Sequence, residues 1–201
     1  MIRRLRAEGG QATIEVALLV SLLMMPLVFG MVEMGFLFSS HLTISAATRE
    51  GARMGSNLAN GGNPLGCGAG LSPNAAGVDP QIIASVERSL TGAGTEITLA
   101  NVTEIDIFKA TASGGISGGL INVWKYTPLN AGPVIDGEPL DFKQFSAAWS
   151  ACSRSNVLPA ESVGVTIKYN YQPKTPLRYF LPAVATWQVQ DTTVMVLNAT
   201  Q

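Results

Sequence analysis

Charge is what this chain has least of. Only 13% of its 201 residues are Asp, Glu, Lys or Arg, about half the share of an ordinary soluble domain. The net charge of −1 leaves no basic stripe for nucleic acid. A single histidine, His41, makes imidazole-based catalysis and histidine-rich metal sites poor readings. No HExxH, GxSxG or clustered Cys/His pattern occurs. The two cysteines, Cys67 and Cys152, lie far apart and form no CxxC pair. They form one candidate disulfide if the domain that holds them is exported, and two buried thiols if it is not.

Apolar sequence, by contrast, is abundant and begins early. Val16 to Val32 carries no charge, and Met34 to Phe38 extends the apolar character. That length crosses a bilayer. Arg3, Arg4 and Arg6 precede the run, which puts the N-terminus in the cytoplasm and the rest of the chain outside. Glu15 and Glu33 bracket the run at a spacing of roughly 27 Å along a helix, so both carboxylates can reach headgroup level. A cleaved secretory signal has a shorter apolar core, although Ser39 and Ser40 offer small residues for a cut. A soluble core helix is seldom apolar all round. A single-pass anchor over residues 11–38 is the preferred reading. Pro26 is expected to kink it, and Gly30 and Gly35 permit close approach of another helix. Beyond Phe38 the helix is expected to continue over 39–60, with Glu50 and Arg53 as an i,i+3 pair, and to stop at Asn60-Gly61-Gly62.

The arrangement Gly10-QATIE, behind a basic leader and ahead of a long apolar helix, looks like a class III signal peptide. GQATIEVALLVSLLMMPLVFGMVEMGFLF followed by AATREGAR resembles the TadE-like proteins of Tad (Flp) pilus assembly. VTIKYNYQPKTPLRYFLP is similar to the strand and Pro-Leu segment of that family. The resemblance implies residues 1–10 as a leader, removed by a prepilin peptidase between Gly10 and Gln11. It implies that Glu15 pairs with the N-terminal amine of a neighbouring subunit. It also implies a bacterial inner-membrane location, other pilin-like subunits and the Tad machinery as partners, and no cofactor. Val16 after Glu15, where major Flp pilins carry Tyr, and the long remainder of the chain favour a minor pilin or pseudopilin.

The exported part, 61–201, reads as α+β. A Gly/Asn/Pro-rich loop holds Cys67. Asp79-Pro80 opens a helix with Ile82, Ile83, Val86 and Leu90 on one face, ended by Gly92. Residues 97–110 read as a strand, ATASGGISGG as a flexible turn, and LINVWKY as its hairpin partner. SGGISGG lacks the GK[ST] of a phosphate loop. Phe142, Phe145, Ala148 and Trp149 stand at helical spacing, which predicts a short helix ending near Cys152. SVGVTIKYNY and TWQVQDTTVMV alternate as strands. The expectation is one antiparallel sheet of about four strands with helices on one face. In the pilin-like picture the outer half of the long helix lies on that face.

The acidic residues offer little chemistry. Glu104 and Asp106 share a strand face and read as solvated rather than as a catalytic pair. Asp136-Gly137-Glu138 is too short for a calcium loop. Two functions remain. The first is a non-enzymatic minor pilin that primes, caps or regulates a pilus. Its determinants would be Gly10, Gln11, Glu15, Pro26 and Gly30, and it would stay in the membrane or enter the filament. The second is a tethered extracytoplasmic binding module or enzyme whose helix is only an anchor.

Overall fold

The computed structural model describes residues 5–58, 75–129, 131–156, 159–176, 179 and 186–198. Cys67 and the Asn60-Gly61-Gly62 stop lie outside them. The chain divides into two compact units. One comprises Met1–Phe38 and Gln172–Trp187; the other comprises Ser39–Tyr171 and Gln188–Gln201.

Helix α1 (Leu5–Asn57) is one helix of 53 residues that runs through Pro26 without a break. In the first unit most of its apolar side chains are exposed among the described residues: Leu18 is 66% exposed and Leu22 is 74% exposed. Among the described residues it is the helix long and apolar enough to cross a membrane. In the second unit its character changes. Ile44, Ala47, Thr48 and Ala52 are fully buried. Gly51 and Gly55 sit directly on α2 (Val78–Leu90) and on strand β6 (Ser162–Tyr171). A methyl on Gly51 would come within 2.5 Å of Val86 Cγ2, and one on Gly55 would meet Ile82 and Val163 at 3.1 and 3.3 Å. The charged members of AATREGAR point elsewhere: Arg53 Nε lies 3.5 Å from Glu50 Oε2 on the open side.

The sheet holds five strands, in the order β5-β2-β1-β6-β7. They are β1 (Val102–Ala110), β2 (Ile116–Tyr126), β5 (Phe142–Ala147), β6 and β7 (Trp187–Val196). The pairs β1–β2, β1–β6 and β2–β5 are antiparallel. Val163, Val165, Ile167, Tyr169 and Tyr171 of β6 are all buried, as their alternation predicts. Ile105 and Ile107 of β1 stand beside Ile167 and Val165 and complete the centre of the core.

The structure corrects the sequence reading in four places. The predicted helix over 142–152 is strand β5, followed by a 3-10 turn, Ala151–Ser153. Phe142 and Phe145 are spaced for a helix, but pairing to β2 prevails over that local signal. Phe142 lies opposite Tyr126, ring against ring at 6.0 Å, while Phe145 stays 70% exposed beneath the Lys125 ammonium, 4.1 Å away. This raises the sheet from the expected four strands to five. Residues 97–101 are not strand, since Leu99–Asn101 is a 3-10 turn. The second half of the Gly-rich turn belongs to β2, where Gly118 and Gly119, both at positive φ, form a bulge opposite Phe108–Ala110. A small ribbon, β3 (Val134–Ile135) with β4 (Glu138–Pro139), turns on Asp136-Gly137, both at positive φ.

Packing that depends on a missing side chain is sensitive to one. Gly51→Val is expected to destabilise the sheet-containing unit by about 2 kcal/mol, since a rigid branched group must displace Val86 in a filled core. Gly30→Ala, with nothing within 4 Å of the added methyl, is expected to cost no stability and to gain up to about 1 kcal/mol of helix propensity. Denaturant midpoints of the full chain in detergent measure both.

Candidate functional site

At the start of α1, Gly10, Gln11 and Glu15 are on the helix and exposed. The amide of Gln11 donates to Glu15 Oε1 at 3.2 Å, an i,i+4 contact on the surface. The Gly10–Gln11 bond therefore lies within the helix. Two consecutive glycines, Gly9 and Gly10, weaken the helix there by roughly 1 kcal/mol each relative to alanine, which eases local opening. Around Gly10, Gly30 and Gly35 there is nothing within 4 Å. Gly30 and Gly35 present bare helix backbone beside exposed Met31, Val32 and Met34.

Glu33 is in a different state from Glu15. It is 1% exposed. Its two oxygens accept the backbone N–H groups of Lys174 at 3.0 Å and Thr175 at 2.9 Å. Sequence reasoning placed Glu33 among headgroups and missed this. The partners are 141 and 142 residues away, and no local pattern announces them.

A second polar cluster lies inside the sheet-containing unit. Arg154 Nη2 meets Asp79 Oδ1 at 2.6 Å, both side chains nearly inaccessible. Asn122 of β2 donates to Asp79 Oδ2 at 2.6 Å and exchanges two 2.7 Å bonds with the backbone of Trp149. The Arg154 guanidinium lies 4.3 Å from the Trp149 ring centre. A buried charge pair held this way fixes geometry more than it adds stability. It joins the first turn of α2 to the segment carrying Cys152, which is disulfide-bonded. The proposed partner, Cys67, is outside the described residues.

Glu104 and Asp106 are not a solvated face. Lys168 Nζ bridges them at 2.9 and 3.0 Å, and Asp106 is buried. Burial pushes the Asp106 carboxyl above its usual range, partly offset by the Lys168 hydrogen bond and charge. Burial also works against the charge on Lys168, but its two carboxylate partners prevail and hold its pKa up. One ammonium thus ties both carboxylates together as a structural ion-pair cluster. Among the described residues no group of three or more His, Cys, Asp and Glu can hold a metal ion.

A cleft of about 330 Å³ lies between the end of α2 and the β3–β4 ribbon, lined by Glu87, Arg88, Asp136 and Glu138 among others. Glu87 accepts the Asp141 N–H at 3.1 Å. Burial pushes its pKa up to about 6; the Asp141 N–H opposes this, and the charges of Asp141 and Glu138 add to it.

The model of the TadE-like protein family matches residues 10–53. That stretch is TadE-like. It covers well under half of the chain and coincides with α1 from Gly10 to Arg53. The TadE-like stretch therefore contains both the uncovered apolar length and most of the small-residue face that packs on α2 and β6. Comparison with curated proteins and with solved structures gives no match.

The raised carboxyl of Glu87 has a definite sign. Between pH 4.5 and about 6 the folded chain keeps a proton that the unfolded chain has released. That stabilisation is complete below pH 4.5 and is lost as the pH rises through 6. Glu87 is only partly buried, so about 1 kcal/mol is expected after solvent screening. Denaturant midpoints measured from pH 4 to pH 7 are expected to fall relative to those of Glu87→Gln, with the two proteins alike at the acid end.

Proposed function

We propose that this protein is a minor pilin or pseudopilin of Tad/Flp pilus assembly. It is anchored in the bacterial inner membrane by α1, with its N-terminus in the cytoplasm and its sheet-containing unit outside. The observation that carries this reading is the TadE-like match itself, which falls on a helix long and apolar enough to cross a membrane and exposed along its apolar run among the described residues. A prepilin peptidase cuts after Gly10 and makes Gln11 the new N-terminus. The mature protein then engages other pilin-like subunits and the Tad machinery in priming, capping or regulating the filament. It works as a structural subunit rather than as an enzyme.

The physics of this reading centres on Glu15. Its carboxylate is exposed on a helix with long apolar neighbours. Once those neighbours enter lipid or a helix bundle, an ionised carboxylate must be paired or neutralised. The amine of a neighbouring Gln11 is the complementary charge, and the pairing selects one axial register among subunits. The open backbone at Gly30 and Gly35 allows helices to approach closely next to the Pro26 turn. A Cys67–Cys152 bridge would close the loop after α1 once the domain reaches an oxidising compartment.

Glu15→Leu separates assembly from anchoring. The variant is expected to insert in the membrane at normal levels and to be lost from pilus and assembly-complex fractions, read by quantitative immunoblotting. Normal incorporation of the variant would reduce α1 to a plain tether.

A further inference from the structure

The connection between β6 and β7 is far longer than its topology needs. Neighbouring strands close with two to five residues, yet residues 172–186 intervene here. Their sequence, QPKTPLRYFLPAVAT, is aromatic and apolar with two cations. This excursion belongs to the same compact unit as Met1–Phe38, not to the sheet it leaves and rejoins.

Glu33 explains how its start is held. Pro173 and Pro176 have no N–H, so Lys174 and Thr175 carry the two backbone donors of that tetrapeptide. Glu33 accepts both, at 3.0 and 2.9 Å. One turn further along α1, the Phe36 ring lies 5.3 Å from Lys174 Nζ. Glu33 is the first charge after the apolar run, so it marks the depth at which α1 leaves the hydrocarbon. Lys174 and Thr175 are thus pinned at that depth. There Lys174 is exposed, and Tyr179 is 73% exposed, just after a turn closed by its N–H on the Pro176 carbonyl. A cation and an unburied tyrosine at this level match what a headgroup layer takes: phosphate for the ammonium, and an interface for an amphipathic ring.

We propose that the start of the β6–β7 connection, docked by Glu33, makes a second membrane contact in which Lys174 and Tyr179 lie in the phospholipid headgroups of the outer face. The proposal rests on α1 being the membrane anchor. Continuity with the uncovered apolar length of α1 favours the bilayer over a second protein as the occupant.

The test uses the full chain in vesicles of equal parts phosphatidylcholine and phosphatidylglycerol. The lipid carries a carbene photoprobe near its headgroup, and labelled sites are mapped by mass spectrometry. Labelling is expected on the peptide containing Lys174 and Tyr179 and at the ends of the α1 apolar run, with none on β1. Glu33→Ala is expected to lower labelling of the 174–179 peptide at least severalfold and to leave α1 labelled. Tyr179→Ser, at an exposed position that does not threaten folding, is expected to lower it as well. A labelled α1 with an unlabelled 174–179 peptide would overturn the second contact while leaving the anchor intact. So would crosslinks from that peptide to another copy of the chain in place of lipid. Unchanged labelling in Glu33→Ala would overturn the docking role of Glu33. An unlabelled α1 would remove the anchor and the inference together.

Discussion

The close approach of α1 to α2 and β6 at Gly51 and Gly55 is the contact on which the sheet-containing unit depends. The helix contributes almost no side chain there. Ala47, Thr48, Gly51, Ala52 and Gly55 form a low ridge, and the apolar area comes from Ile82, Val86, Val163 and Val165 across from it. Such a contact tolerates little sliding, because any larger group on the ridge meets branched side chains in a filled core. Polar contacts then lock its register. Thr48 donates to Asp191 at 2.6 Å and receives Thr193 at 3.1 Å, and the Asn198 N–H reaches the Ser56 carbonyl at 3.0 Å. The last described residues of the chain are thereby tied to the end of its first helix.

The N-terminal half of the same helix follows the opposite logic. Its side chains are large and apolar, and among the described residues most of them are exposed. Lipid or neighbouring helices must supply the environment that α2 and β6 supply elsewhere. Two glutamates stand at the limits of this stretch in contrasting states. Glu33 accepts two backbone donors from its own chain, whereas Glu15 makes a surface contact to Gln11. A satisfied carboxylate serves the internal architecture, and an exposed one is available for a partner.

How legible these features were depends on how local their causes are. The long helix was readable because a uniform apolar run followed by small residues has few competing explanations. Strand β6 was readable because Val163, Val165, Ile167, Tyr169 and Tyr171 alternate without a break. Strand β5 was misread because Phe142 and Phe145 satisfy a helical spacing, and only the pairing to β2 decides between the two forms. The β3–β4 ribbon had a signal that was passed over: Asp-Gly is a strong two-residue hairpin turn. Asp106 and Glu104 looked solvated because Lys168, which bridges both, lies on another strand. Glu33 was beyond reach for the same reason on a larger scale, with both of its partners more than a hundred residues away. The TadE-like stretch was legible because the residues that carry it are contiguous in the sequence.

The account turns on α1 entering the pilin pathway. Its most direct test is the intact mass and N-terminal sequence of the protein from its native membrane, with and without the prepilin peptidase. The account predicts a chain beginning at Gln11, seen only when the peptidase is present. An uncut chain in the presence of active peptidase, or a cut near Ser39 or Ser40, would contradict it.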